Sequence, residues 1–366
     1  NWFSRDGVDA EYKYSYKRQN WFKFYAEEHL AVRKSVGVYD ISSFGKFRVT
    51  GKNAQQELQY ISCANIDVEP GKVVYTQWLN ERGGIEADVT IARLNENTFD
   101  VITSISSLQR DWSYLQQNLK NDTQLTNITL DYGCLSVQGP QSRSLLQALV
   151  DVDLSNDHFK FSTGKYTELL GLKIWIQKLS YVGELGWELF IPSAKVKKIY
   201  LAIKEEGKKY NIRDVGMHAL NSLRLEKGYR HWGHDIAAED NLIEAGLSFI
   251  AKPDAGDFIG KDAFLYAKSQ GLPARRLVQF KLDDPEPLLY HNEPIVMNED
   301  IVGYLSSAMY GHSLGRAIGM GYVKAPALTT EKLNNANFEI EIATERYSAQ
   351  ASLRSLYDPN NEKLKL

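Results

Sequence analysis

The sequence predicts an α+β fold: two related halves, then a small all-β domain at the C-terminus. Three observations predict it. A strand, a glycine turn and a helix follow one another twice, over residues 45–61 and 134–150, with Gly51 matching Gly139 and Leu58 matching Leu146. Helix-like and strand-like stretches alternate as far as about residue 270. Beyond it, short strands and tight turns take over, as in a barrel or small β domain. The expected units are 1–135 (an N-terminal extension with the first half), 136–270 (the second half) and 271–366 (the β domain). The two copies lie too far apart for a solenoid.

Taken in order, Trp2, Tyr12, Tyr14, Tyr16, Trp21 and Tyr25 make the opening an aromatic-anchored extension packed on the body. Residues 45–50 alternate as a strand, Gly51 turns the chain, and 53–61 reads as a helix. Strands are expected at 88–94 and 98–103, and a helix at 106–120. The second copy opens with a strand at 134–138. Gly139-Pro140 is its turn, and a helix follows over 141–150 with Pro140 at its start. Strands at 172–178 and 187–191 and helices at 194–210 and 217–227 complete it. The C-terminal strands are expected at 276–282, 293–297, 301–306, 317–323 and 338–342.

Composition excludes several classes of function. The 366 residues carry a formal charge of −3, which gives no basic excess for nucleic acid or an anionic membrane surface. No stretch approaches the ~20 apolar residues of a membrane span. The opening Asn1-Trp2-Phe3-Ser4-Arg5-Asp6 is neither a signal nor a transit peptide, and without an initiator Met it reads as a processed product or a piece of a longer chain. Cys63 and Cys134 form no disulfide framework and read as buried free thiols, which fits a reducing compartment: bacterial cytoplasm or mitochondrial matrix. Asn121-Asp122-Thr123 and Asn127-Ile128-Thr129 match the glycosylation triplet by accident. There is no Walker loop and no Gly-x-Gly-x-x-Gly after a first strand, so nucleotide or Rossmann-bound flavin is not expected on this chain. The loose cluster Gly311, Gly315, Gly319 and Gly321 leads into a strand. His231 and His234 lack a third ligand nearby and read as a polar wall rather than a zinc site, so no metal is expected.

Three segments carry unusual chemistry. In the first, Arg82 to Ile91, two glycines feed a strand and Asp88 falls among apolar residues; it is either a turn acid or a functional one. In the second, Tyr181 to Leu189, Glu188 lies between Trp187 and Leu189. A carboxylate inside an apolar run needs a partner, either a buried Arg or a flat heterocycle with adjacent N–H donors. In the third, Ala219 to Arg230, leucines fall at helical spacing and Gly228 stops the helix. Leu220, Leu223 and Leu225 face the core, and Arg224 is free to pair with Glu188, Glu226 or a ligand.

Together these segments resemble the folate-binding family of the glycine-cleavage T-protein, an aminomethyltransferase. They are most similar to the C-terminal folate half of dimethylglycine and sarcosine dehydrogenases. The resemblance spans nearly the whole chain, from Asn1-Trp2-Phe3-Ser4-Arg5 and Val36 to Ser42 through Gly83-Gly84-Ile85, Tyr181 to Glu188 and Ser222 to Gly228. It continues with Glu244 to Leu247, Phe258 to Lys261 and Gly319 to Val323. It implies a three-domain cloverleaf with tetrahydrofolate in its central hole. The family's catalytic acid falls on Asp88 and its pterin-binding glutamate on Glu188; Tyr75, Thr90 and Tyr181 match positions lining the folate, and Arg224 a family arginine near the site. Two departures stand out. Ala87-Asp88 replaces the pair of acids common in the T-protein, and Asn241-Leu242-Ile243 replaces the usual Pro before Glu244.

The function this resemblance implies is tetrahydrofolate-dependent capture of a methylene group from a small N-methyl amine of the dimethylglycine or sarcosine type. The product is 5,10-methylenetetrahydrofolate, and a flavin oxidoreductase domain or subunit supplies the oxidised carbon. The alternatives are a free-standing aminomethyltransferase or demethylase, and a non-catalytic folate-binding regulatory subunit. Fold alone does not separate them.

Overall fold

The structure, a computed structural model, describes residues 1–366 apart from 6, 16, 121 and 326. Asp6 and Tyr16 of the opening segment and Asn121 of the first triplet therefore lie outside the described residues. The fold is the expected α+β arrangement: two sheets with helices, and a closed barrel.

The first sheet is antiparallel throughout, in the order Val73–Leu79, Ile85–Asn95, Thr98–Thr103, Gly45–Thr50, Gln124–Asn127. Helices Ala54–Ile61 and Leu108–Asn118 cover one face. Leu58, Ile61 and Leu115 pack there on Phe47, Val49, Val89, Ile91 and Phe99. The second sheet runs Arg213–Asp214, Gly37–Asp40, Tyr132–Gln138, Gly186–Pro192, Leu172–Lys178, Thr163–Leu169. Its outer face carries helices Ser142–Gln147 and Val196–Gly207 on Val137, Ile176, Leu189 and Ile191. The inner faces share another core, where Val73 and Ala92 of the first sheet join Cys134, Trp175 and Phe190 of the second.

The sheets are not consecutive stretches of chain. Gly37–Asp40 precedes every strand of the first sheet yet pairs with Tyr132–Gln138 in the second, and position 135 falls inside that strand. Conversely, Ile236, Leu242 and Phe264 return to pack on Cys63, Leu79 and Ile85 of the first half. In this return Asn241 ties the turn before Glu244: its Oδ1 accepts from the amides of Ile243 (2.9 Å) and Glu244 (3.0 Å).

The barrel closes through Arg275–Leu282, Arg316–Lys324, Asp300–Gly311, Pro294–Met297, Phe338–Ile342 and Glu345–Ser352. Helix Met217–Glu226 runs against it and against helix Phe22–Lys34, with Leu220, Leu223 and Leu225 buried as their spacing required. Among the described residues no helix is long and apolar enough to cross a membrane.

Candidate functional site

Asp88 and Glu188 sit on matching hairpins, one in each sheet. In the first, Val73–Leu79 pairs with Ile85–Asn95 and places Gln77 directly opposite Asp88. In the second, Leu172–Lys178 pairs with Gly186–Pro192 and places Gln177 opposite Glu188. Gln77 Nε2 donates to Asp88 Oδ1 at 2.7 Å, and Gln177 Nε2 to Glu188 Oε2 at 2.8 Å. Directly opposed side chains are close enough for such bonds.

The connecting turns match too. Asn80 Oδ1 accepts from the amides of Arg82 (3.0 Å) and Gly84 (2.9 Å). Ser180 Oγ accepts from those of Val182 (3.3 Å), Gly183 (3.1 Å) and Glu184 (3.3 Å). Gly83 and Gly183 take φ of +83° and +79°, the left-handed region where a glycine is least strained.

Strand alternation puts Thr90 and Ala92 on the face of Asp88, and Phe190 on that of Glu188. Ala92 and Phe190 meet in the core between the sheets, so both acids belong to the inner faces. Burial pushes Glu188 up to about 6, against the pull of Gln177. Burial also lifts Asp88 to about 6, against hydrogen bonds from Tyr75 and Gln77 and the charge of Arg230. Desolvation of the charged form is the common cause.

The other expected residues distribute as follows. Tyr75 is 37% exposed and lies beside Asp88; burial and Asp88 hold its hydroxyl well above the usual range. Thr90 sits opposite Tyr75, half-buried, on the same face. Tyr181 Oη donates to the carbonyl of Arg230 at 2.8 Å, and its ring stacks on Tyr229 with centroids 6.0 Å apart. Asp88 and Tyr181 are near enough to feel each other's charge. Arg224 departs from the sequence reading. Its partner is neither Glu188 nor Glu226 but Asp235, at 2.6 Å, with Asn221 Oδ1, Ser307 Oγ and the Tyr229 carbonyl taking further donors. These partners take up the guanidinium donors, and Glu226 is held instead by Arg33. His231 and His234 face each other at 4.6 Å, and the described residues contain no group of three metal-ligating side chains.

Gln77, Gln177 and Arg230 escaped the sequence reading. Among the described residues Arg230 bonds only backbone carbonyls, those of Gly228 (2.5 Å) and Ala245 (3.1 and 2.8 Å), so its charge remains to act on Asp88 and Tyr75. A signal for the glutamines was present. Gln77, Leu79, Gly83, Asp88 and Ile91 recur as Gln177, Leu179, Gly183, Glu188 and Ile191, each pair 100 residues apart.

Comparison with known proteins agrees with this architecture. Residues 1–255 match the GCVT N-terminal domain, and residues 275–358 the glycine cleavage T-protein C-terminal barrel domain. The chain is 38% identical over 367 residues to the 4-methylaminobutanoate oxidase (formaldehyde-forming) of Paenarthrobacter nicotinovorans, covering 100% of this chain and 44% of that protein. It is 36% identical to the mitochondrial sarcosine dehydrogenase of Homo sapiens, covering 93% of this chain and 39% of that protein. The chain thus spans less than half the length of these relatives. The crystal structure of the glycine cleavage system aminomethyltransferase T from Bartonella henselae shares the fold, with a TM-score of 0.81 at 24% identity over 94% of this chain and 93% of that one. From its sheets and barrel to its matched domains, this chain belongs to the glycine cleavage T-protein (aminomethyltransferase) family, whose cofactor is tetrahydrofolate.

Proposed function

We propose that this chain binds a reduced folate between its two sheets and transfers to it one carbon from a small N-methyl amine of the dimethylglycine or sarcosine type, giving 5,10-methylenetetrahydrofolate. The observation that carries the reading is the pair of inward carboxylates, Asp88 and Glu188, each held by a buried glutamine amide. Tetrahydrofolate fits this pair of acceptors. Its pterin offers a ring N–H beside an exocyclic amine, and its reduced nitrogens supply the nucleophile.

Glu188 receives a hydrogen bond on Oε2, while Oε1 takes none from the described residues. An ionised carboxylate has about four acceptor positions, so it can take two adjacent N–H donors and keep Gln177. Asp88 has the different task of standing beside the reacting nitrogens. Ionised, it stabilises cationic character on the incoming carbon and accepts the proton released as the new C–N bond forms. Its value of about 6 leaves it ionised at neutral pH yet basic enough to hold a proton. Tyr75 and Tyr181 offer aromatic surface to the flat parts of the ligand, Thr90 lines the same face, and Arg224 fixes the Tyr229–Arg230 turn behind Tyr181. A flavin oxidoreductase domain or subunit is the proposed source of the oxidised carbon.

Calorimetry with tetrahydrofolate tests the reading. Binding without added metal or flavin is expected; no heat up to high micromolar ligand removes it.

A further inference from the structure

We infer that Gln77 and Gln177 are the positioning residues of the site, each fixing one carboxylate through one of its oxygens on the inner face of its sheet. One hairpin, used twice, then supplies both acids. This deepens the functional reading above and rests on it for the identity of the ligand.

An amide has a donor end and an acceptor end, and the group beyond it decides which end faces the acid. Trp175 Nε1 can only donate, and it lies 3.2 Å from Gln177 Oε1. The Nε2 end must therefore point at Glu188. Cys63 Sγ occupies the same place behind Gln77, 3.8 Å from its Oε1. Both glutamines are fully buried, so neither can swing out to water. The turn glycines and the Asn80 and Ser180 clamps hold the two strands of each hairpin in register, which keeps amide and acid opposed.

With the frame repeated, the differences between the copies separate the tasks. Glu188 is one methylene longer than Asp88, as suits a ligand anchor. It receives no hydrogen bond from a described residue other than Gln177. Asp88 is shorter and has the Tyr75 hydroxyl and the Arg230 charge beside it as well. The other titratable groups that sense Asp88 are Tyr181, Cys63 and Asp111; the one that senses Glu188 is Cys134. Among the described residues Gln177 is therefore the one hydrogen-bonding support of its acid, and Gln77 part of the support of its own.

Gln77→Met and Gln177→Met keep length and remove the donor. Carbon-13 NMR of labelled Asp and Glu carboxyls in the ligand-free chain reads the acids directly, with Asp88→Asn and Glu188→Gln assigning the signals. Gln177→Met should raise the proton affinity of Glu188 about tenfold and leave Asp88 unmoved. Gln77→Met should raise Asp88 by less and leave Glu188 unmoved. Should a Met variant fold poorly, Gln177→Leu and Gln77→Leu also remove the donor without adding a charge and give the same reading. With tetrahydrofolate at pH 7, Gln177→Met should raise Kd about tenfold and Gln77→Met only a few-fold. Unmoved titrations in the variants would show the amides to be packing residues and overturn the assignment. Titrations that move as expected in a chain that binds no tetrahydrofolate would sink the functional reading and leave the positioning assignment standing.

Discussion

Burial works against the ionised form of Glu188, and that sets its contribution to stability. The folded protein holds this proton more tightly than the unfolded chain, with the value raised from 4.5 to about 6. Stability of about 2 kcal/mol is thus present below pH ~4.5 and lost as pH rises through about 6. At neutral pH the wild type lacks it entirely. Glu188→Gln should therefore leave the ligand-free melting temperature at pH 7.5 unchanged or higher, since the new amide oxygen still accepts from Gln177. The same change should weaken tetrahydrofolate binding by roughly 2–4 kcal/mol, because an amide donor then faces the pterin's donors. A drop of several degrees with unchanged affinity would make Glu188 a structural acid. Asp88→Asn should act the other way round. Folate affinity should change a few-fold while methylene transfer falls by roughly 10²-fold, the size of a lost acid–base group. With formaldehyde as carbon source and the uncatalysed background subtracted, the wild-type rate should rise with pH through about 6 and then level, following the ionisation of Asp88. A rate flat from pH 5 to 8, or an Asn variant as fast as wild type, would contradict that role.

At the scale of elements, strands with alternating or apolar character were legible to the residue: Gly45–Thr50, Thr98–Thr103, Leu172–Lys178 and Phe338–Ile342. Elements whose buried face is polar were not. Helix Phe22–Lys34 hides its periodicity because Glu28, His29 and Arg33 lie on the buried side with Phe24, Tyr25 and Val32. Strands Thr163–Leu169 and Glu345–Ser352 are largely polar, and the second closes the barrel. The site divides along the same line. A carboxylate in an apolar run stands out, which singled out Asp88 and Glu188 as candidates; the roles expected of them came from the family resemblance. A buried neutral amide leaves no mark of its own, and only the repeated hairpin exposes Gln77 and Gln177. That hairpin is also where a small change should be felt. A Cβ on Gly84 would lie 1.9 Å from the Ala238 carbonyl oxygen and 2.8 Å from Asn80 Nδ2. Backbone cannot yield as a side chain can, so Gly84→Ala must push the turn off the returning segment at Ala238–Asn241. We expect a loss of about 1–3 kcal/mol, the range for overpacking, seen as a lower urea midpoint. A midpoint within error of wild type would show that the turn moves freely.

At the scale of the molecule, Arg33 joins the parts that hold the site. From helix Phe22–Lys34 its guanidinium donates to Val182 O (2.7 Å) and Glu184 Oε1 (3.0 Å) in the second hairpin's turn. It also donates to Leu223 O (3.2 Å) and Glu226 Oε2 (3.0 Å) of helix Met217–Glu226, and to Ser313 Oγ (3.2 Å) of the barrel. The Tyr357 ring lies 3.9 Å from its centre. Against the upward push of burial, His29 and Arg33 hold Glu226 down to about 2. Its folded value lies below the unfolded one, so its stabilisation is present above pH ~4.5 and lost as pH falls through about 2. Arg33→Met removes the cation that Glu184 and Glu226 share, leaving His29 beside Glu226, and breaking a buried ion pair typically costs about 3–5 kcal/mol. We expect that loss at pH 7, and a smaller deficit relative to wild type as the pH drops below about 5, because the stranded acids can then take protons. The triple variant Arg33→Met, Glu184→Gln, Glu226→Gln should recover part of the loss at pH 7 by removing the charges themselves. A single variant as stable as wild type at pH 7, or a triple variant no better than the single, would mean that packing alone joins the second sheet to the barrel.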